Sequence, residues 1–370
     1  MKAVFLTNKN LLRSEITGGV QLCSQEFHLI LQSMEEFELV DYYVPFTRRV
    51  IDRLRIRWGI ENYSMYDVKA DAKELVQFVR SNGVAHVFIN MASAVRYARV
   101  IKEAFGDSVK VTLLSHGNHS GDFLHLITTP PKKASYITQC IKKFRLGALV
   151  STESLFRKKY LDAVLTLSET EKQIENWFGA RNAVFLPRRL WSSFLPHAPV
   201  KGRIGFVGRL DHPPNFQGLQ ILLDELKRTG HEGLEIRLVG APVADGRRIA
   251  EQYPFINYLG ELSDAELDKE AATWCFFLNP VWWYSTGAST KLSKGISWGI
   301  PIITTTAGMR GYEWKQGSLL VADTPLGMCQ AMRESLHLEK VHYWAQQTKT
   351  VAQNGLSLHD LQQRIRNVLG

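Results

Sequence analysis

Several protein classes are weakened by what this 370-residue chain lacks. It has four cysteines, Cys23, Cys140, Cys275 and Cys329, scattered and with no Cys-x-x-Cys pair. That argues against a disulfide framework and a zinc or dithiol motif, and the thiols read as reduced core residues of a cytoplasmic protein. No apolar run approaches the roughly 18 residues that a spanning helix needs. The opening Met-Lys-Ala-Val-Phe-Leu-Thr has the pattern of a strand, not of a secretory leader. There is no Gly-x-Gly-x-x-Gly fingerprint, so a nicotinamide role loses support. Low-complexity tracts and short-period repeats are also missing. Apolar content of 45% and charged content of 22% are ordinary for a globular protein, and the length suits two domains.

Apolar strands alternate with amphipathic helices along the chain. Lys2–Thr7 reads as a strand, and Val20, Cys23, Phe27, Ile30, Leu31 and Met34 recur at helical spacing after it. Further strands are expected near 38–44, 86–90, 110–115 and 162–167, with helices near 72–82, 92–105 and 169–178 and a long basic helical stretch near 132–160. Residues 183–202, crowded by Pro187, Pro196 and Pro199, read as aperiodic linker. The alternation then restarts: strands at 204–207, 234–239, 256–258, 275–278 and 318–322, helices at 215–227, 264–273, 325–337, 340–353 and 357–369. Such alternation implies parallel sheets covered on both faces. The expected fold is therefore α/β, with two doubly wound Rossmann-like domains facing each other across a cleft. The expected boundaries are 1–190 for the first domain, 191–202 for the linker, 203–355 for the second domain, and 356–370 for a C-terminal helix crossing back to the first.

The densest chemistry lies at 285–312. Ser285, Thr286 and Gly287 open a helix start of the kind that holds an anion. Lys291 and Lys294 follow, three apart and so on one helix face. Gly299 ends the helix, Pro301 follows, and Ile302-Ile303 begins a buried strand. A second glycine turn, Gly308-Met309-Arg310-Gly311, comes directly after it. Two glycine turns and three cations around one helix-strand unit point to a diphosphate site at the carboxyl edge of a parallel sheet. Gly208-Arg209-Leu210-Asp211, then Pro213-Pro214-Asn215, adds a guanidinium suited to phosphate. In the first half, Thr17-Gly18-Gly19-Val20 opens a helix where backbone N–H groups can approach a phosphate or sugar. The strand end Leu113-Leu114-Ser115-His116-Gly117-Asn118-His119 presents His116 toward a crevice. His116, His119 and Asp122 as a metal site is the weaker alternative for that stretch, and no Asp-x-Asp accompanies it, so no metal is expected.

Charge is uneven. Residues 1–200 hold 27 Lys+Arg against 19 Asp+Glu, a net of +8, and residues 201–370 hold 18 against 17. The clusters are Arg48-Arg49, Arg53/Arg55/Arg57 beside Trp58, Lys132-Lys133, Lys142-Lys143-Phe144-Arg145 and Arg157-Lys158-Lys159. They fit either an anionic membrane surface or a solvated cationic face. Nucleic acid is not expected, since no nucleic-acid motif accompanies the charge.

Taken together these features resemble the GT-B retaining glycosyltransferases of the family 4-like group. The resemblance spans nearly the whole chain and is most specific over 204–312. There it rests on Gly208-Arg209-Leu210, Leu238-Val239-Gly240, Leu259-Gly260, Pro280, the Gly299-x-Pro301 helix end, Pro214-Asn215 and Gly308-x-x-Gly311. It implies transfer of a sugar from a nucleotide diphosphate sugar to a glycan or lipid-linked acceptor in surface polysaccharide or glycoconjugate synthesis, without metal or other cofactor. It implies His116, Arg209 and Lys291 at the reacting centre. Substrate contacts would come from Gly18, Gly19, Val20, Asn118, Asn215, Gly240, Ser285, Thr286, Gly287, Lys294, Gly308, Met309 and Arg310. Two departures stand out. The family's two glutamates, with seven residues between them, are replaced by Thr286 and Lys294, and the lysine that often follows the arginine is absent from His212-Pro213-Pro214-Asn215. A silent partner subunit, or an enzyme of another reaction such as a sugar-nucleotide epimerase, are the rival expectations.

Overall fold

The protein is described from a computed structural model, which describes residues 1–13, 18–57, 63, 65–128, 135–283 and 287–369. The chain divides into two units. One takes in Met1–Arg188, Ser285–Gly287 and Ser357–Gly370, the other Arg189–Tyr284 and Ala288–Leu356.

The first unit is built from β1 (Lys2–Thr7), α1 (Gly19–Gln32), β2 (Glu38–Tyr43), α2 (Val50–Arg57), α3 (Val68–Ser81), β3 (His86–Asn90), α4 (Arg96–Phe105), β4 (Lys110–Leu114), α5 (His119–Thr128), α6 (Tyr136–Lys159), β5 (Ala163–Thr166), α7 (Glu169–Trp177) and β6 (Ala183–Phe185). Its six strands are all parallel, in the order β2-β1-β3-β4-β5-β6. β3 and β4 are buried along nearly their whole length because helices cover both faces. Val4, Leu6, Val87, Ile89, Leu113 and Val164 form the centre of the core. One strand was hidden in the sequence. Ala183–Phe185 lies in the stretch that reads as aperiodic linker, and a three-residue edge strand is too short to show a period.

The second unit comprises β7 (Arg203–Val207), α8 (Pro213–Thr229), β8 (Glu235–Val239), α9 (Val243–Gln252), β9 (Ile256–Gly260), α10 (Asp264–Ala271), β10 (Phe276–Asn279), α11 (Thr290–Trp298), β11 (Ile302–Thr304), α12 (Thr306–Met309), β12 (Leu320–Val321), α13 (Pro325–Met332) and α14 (Leu338–Gln353). Its parallel order is β12-β11-β10-β7-β8-β9. α8 begins at Pro213, two residues earlier than the periodicity indicates, because proline lacks the N–H that a first helical turn leaves unused. Gly299 ends α11 in the left-handed conformation, at φ +69°, where a side chain would be strained. Gly205 in β7 lies against the Trp274 ring: a Cβ there would come within 2.0 Å of it.

The last helix, α15 (Leu358–Leu369), belongs to the first unit. It packs on α1, and its Gln362 Nε2 donates to the Ser33 carbonyl at 3.0 Å.

Candidate anion site and histidine network

The strand order of the second unit reverses between β7 and β10, and ligands of open α/β sheets collect outside the carboxyl ends of the strands at such a point. Lys291, one residue into α11, lies there. Its ammonium donates to Asn215 Oδ1 of α8 at 2.6 Å and sits 4.8 Å from the centre of the Phe206 ring. Asn215 is held in turn, its Nδ2 donating to the Arg209 carbonyl at 3.0 Å. Gly208 lets these chains pass: a Cβ on it would lie 3.1 Å from Asn215 Nδ2 and 3.3 Å from Lys291 Cδ. Among the described residues no carboxylate pairs with Lys291. Burial, and then the positive charge of Arg310, push its pKa down to about 7.

A hydrogen-bonded network at the start of α11 includes Asn279, Ser289, Thr304 and Tyr312, which were not among the candidate residues. Asn279, at the end of β10, donates through Nδ2 to Thr304 Oγ1 at 3.0 Å and to the Gly308 carbonyl at 3.2 Å. Ser289, which precedes α11, donates to Asn279 Oδ1 at 3.2 Å, and Tyr312 donates to the Ser289 carbonyl at 2.8 Å. The Ser289 side chain therefore does not cap α11. Thr305 caps α12, accepting from the Gly308 N–H at 2.9 Å. Gly308 has no room for a side chain, since a Cβ would lie 2.4 Å from Thr304 Oγ1. Met309 is partly buried on the core and Arg310 donates to the Ala307 carbonyl at 2.7 Å. Gly240, at φ +141°, packs its Cα side against the Gly208 carbonyl, where a Cβ would come within 1.9 Å.

Two cations stand differently from the expectation. Arg209 is exposed, and its guanidinium forms a two-pronged pair with Asp211 at 2.9 and 2.6 Å. Only its backbone joins the Lys291–Asn215 chain. Lys294 does not share Lys291's surroundings: it lies 3.9 Å from Asp268 of α10 and over the Trp298 ring. The intervening turn carries the two ammonium groups to opposite neighbours, which removes the repulsion implied by their spacing. Ser285, Thr286 and Thr17 lie outside the described residues.

In the first unit the order reverses between β1 and β3. A polar chain crosses the strand ends at that point. Asn90, last in β3, donates through Nδ2 to Thr7 Oγ1 of β1 and to Ser24 Oγ of α1, both at 2.9 Å. Its Oδ1 is thereby left facing His116 Nε2 at 2.8 Å. This network assigns the ring proton to Nε2 and leaves Nδ1 as an acceptor. Burial, with the charge of Arg188, pushes the His116 pKa down to about 3, so the imidazole is neutral near pH 7. Met91, next in the chain, has φ +81°, a conformation costly for a side chain. Gly18 and Gly19 begin α1, with Val20 exposed on its first turn. Gly287 donates its N–H to the buried carboxylate of Glu171 at 2.8 Å.

Asn118 is drawn into the interior of the first unit. It is fully buried, and its Nδ2 donates to Glu175 Oε1 at 2.8 Å. Glu175 also holds Arg157 at 2.7 and 2.8 Å. Arg157 is thus an interior residue, not part of the surface cluster that its basic neighbours imply. His119 packs its ring edge against Tyr63 at 5.2 Å and so diverges from His116. Among the described residues no group of three or more His, Cys, Asp or Glu is arranged to hold a metal ion. No described helix is long and apolar enough to cross a membrane.

Residues 201–337 match the glycosyl transferases group 1 family. No curated protein matches the sequence. Among solved structures the chain is similar to the lipopolysaccharide outer core galactosyltransferase WaaB, at 14% identity and a TM-score of 0.60 over 100% of this chain and 99% of that one. It is similar to Anabaena HepE in complex with UDP and glucose, at 13% identity and TM-score 0.58 over 100% and 99%. It also resembles sucrose-phosphate synthase from Thermosynechococcus elongatus, at 11% identity and TM-score 0.59 over 100% and 95%. At such identities the likeness is one of fold. The chain thus has a second unit that matches the glycosyl transferases group 1 model over residues 201–337, and its two Rossmann-like domains make the GT-B fold.

Proposed function

We propose that this chain transfers a sugar from a nucleotide diphosphate sugar to a glycan or lipid-linked acceptor, with retention and without a metal, in cytoplasmic synthesis of a surface polysaccharide or glycoconjugate. The observation that carries this reading is Lys291: a lysine with a depressed pKa, oriented by Asn215, beside a second cation and, among the described residues, with no carboxylate partner. A lysine in that state gains most from an incoming anion. When the glycosyl bond breaks, negative charge collects on the departing diphosphate. A preorganised cation at a helix start stabilises that charge more than it stabilises the bound donor. Arg209 would join it by leaving Asp211, an exposed pair of the kind that contributes little. His116, neutral and with Nδ1 free to accept, suits a hydroxyl of the transferred sugar. The structural relatives support the donor class: HepE is seen with UDP and glucose, and again with UDP-glucose.

The test is a thermal-shift survey of nucleotide sugars followed by product analysis with the stabilising donor. A ligand bound only by the native state raises its melting temperature. Transfer or donor hydrolysis supports the proposal. Binding without either favours a silent partner subunit, and an altered nucleotide sugar favours an epimerase. Lys291→Met should weaken donor binding by about 1.5–3 kcal/mol, the scale of a charge-assisted hydrogen bond. Unchanged affinity in the folded variant would remove the argument.

A further inference from the structure

The first half of α6 has a face that no described residue of the first unit covers. Its C-terminal half is anchored, with Leu149, Glu153, Phe156 and Arg157 buried in the unit. Its N-terminal turns are not. Tyr136 is 81% exposed, Ile137 71%, Ile141 57% and Phe144 81%, and Cys140 between them is also exposed. Positions 136, 137, 140, 141 and 144 fall on one stripe of a helix. Open space surrounds Gly147, the next turn on. α5 packs along α6 and adds Leu124, 48% exposed. Large apolar side chains gathered on one solvent-facing stripe mark a surface that is covered when the protein works.

The charge around the stripe says what covers it. From 135 to 152 the sequence has no Asp or Glu and carries Lys142, Lys143 and Arg145. Lys142 and Lys143 lie within the stripe's own turns. Arg145 stacks over Phe123 of α5, its guanidinium 4.6 Å from the ring centre. A second copy of the chain would bring Lys142 and Lys143 against their own counterparts. An apolar protein surface would leave them unanswered. An anionic bilayer satisfies both halves: the acyl boundary takes the aromatic and aliphatic stripe and the headgroups take the cations.

We propose that the Tyr136–Phe144 face of α6 is a membrane-docking face, which lies flat in the headgroup region of an anionic leaflet with Ile137, Ile141 and Phe144 inserted and Lys142 and Lys143 on the phosphates. This proposal does not depend on the transferase reading. Nor does it require a spanning segment. It binds the first unit to a surface through one helix face, reversibly.

Cys140 is the one exposed cysteine of the four, the other three being buried, so an environment-sensitive fluorophore on the native chain reports from the centre of the face. With vesicles of phosphatidylcholine and phosphatidylglycerol the emission should shift to the blue and be quenched by nitroxide on the upper acyl chain. Phosphatidylcholine alone should give neither. Unlabelled protein should co-sediment with the anionic vesicles, and less so as salt is raised. Each cation near such a surface contributes about fivefold in affinity, so Lys142→Gln with Lys143→Gln should lower vesicle binding about 25-fold. Phe144→Ser with Ile137→Ser, both at exposed positions, should lose at least tenfold with the melting temperature unchanged. Three results would overturn the proposal. The protein stays in solution with anionic vesicles. It binds neutral and anionic vesicles alike. Or the label shifts with protein concentration alone and sedimentation velocity shows a dimer, which would give the face to a second copy.

Discussion

The state of Lys291 makes donor binding pH-dependent in a direction that the structure sets. In the free protein burial and the Arg310 charge hold its pKa down to about 7, against 10.5 for an ordinary lysine. A diphosphate placed against it reverses both effects, so the bound lysine is charged and binding draws a proton wherever the free lysine was neutral. At pH 8 about one free molecule in ten carries the charge, so affinity should fall about tenfold between pH 6 and pH 8, or about 1.4 kcal/mol. It should fall about tenfold again by pH 9. Uptake of close to one proton per donor bound is expected at pH 8. Isothermal titration with UDP-glucose in two buffers of different ionisation enthalpy measures both quantities. The phosphates of a nucleotide sugar do not titrate in this range, so the slope belongs to the protein. Lys291→Met should bind weakly at every pH and show no slope. Arg310→Met should move the break to higher pH, because one of the two depressing causes is gone. An affinity constant within twofold from pH 6 to 9 in folded wild-type protein, or binding without proton uptake, would refute the reasoning.

Acid should destabilise the first unit through its buried histidines. His116 and His86 have pKa values held down to about 3 and about 4 by burial, against 6.5 when unfolded. The unfolded chain therefore binds more protons below pH 6.5, and stability present above that pH is lost as pH falls toward 4; a urea midpoint that stays constant from pH 7.5 to 5 would contradict this. Glu175→Ala leaves Arg157 charged in the interior without its partner and unhooks Asn118, at a cost of about 3–5 kcal/mol read from chemical denaturation. Gly240→Ala forces a Cβ to within 1.9 Å of the Gly208 carbonyl at φ +141°. That backbone clash displaces the loop carrying Asn215's partner, so the variant should lose donor affinity as well as thermal stability. Native melting and native binding would show that the loop gives way freely.

The sequence by itself determined most of the alternation of strand and helix, because hydrophobic period is a local property and a buried parallel strand is largely apolar; it did not show the helices Val50–Arg57, His119–Thr128 and Val243–Gln252. It also marked places where backbone chemistry is forced: Gly299 closing α11, Gly308 where no side chain fits, and Gly208 where a Cβ would crowd Asn215 and Lys291. Lys291 was legible because a helix start after small residues is a local pattern. The partners of the charged groups were not, because they come from distant parts of the chain. Lys291 takes Asn215 from α8, Asn118 and Arg157 take Glu175 from α7, and His116 takes Asn90 from the end of β3. Basic runs look alike on paper, yet Arg157 is buried and paired while Lys143 is exposed. Arg209 and Lys294 carry the charge that the pattern asks for, but Asp211 and Asp268 hold them. Only the tertiary structure, by choosing which side chains lose water and which dipoles remain to meet them, left Lys291 without a carboxylate among the described residues.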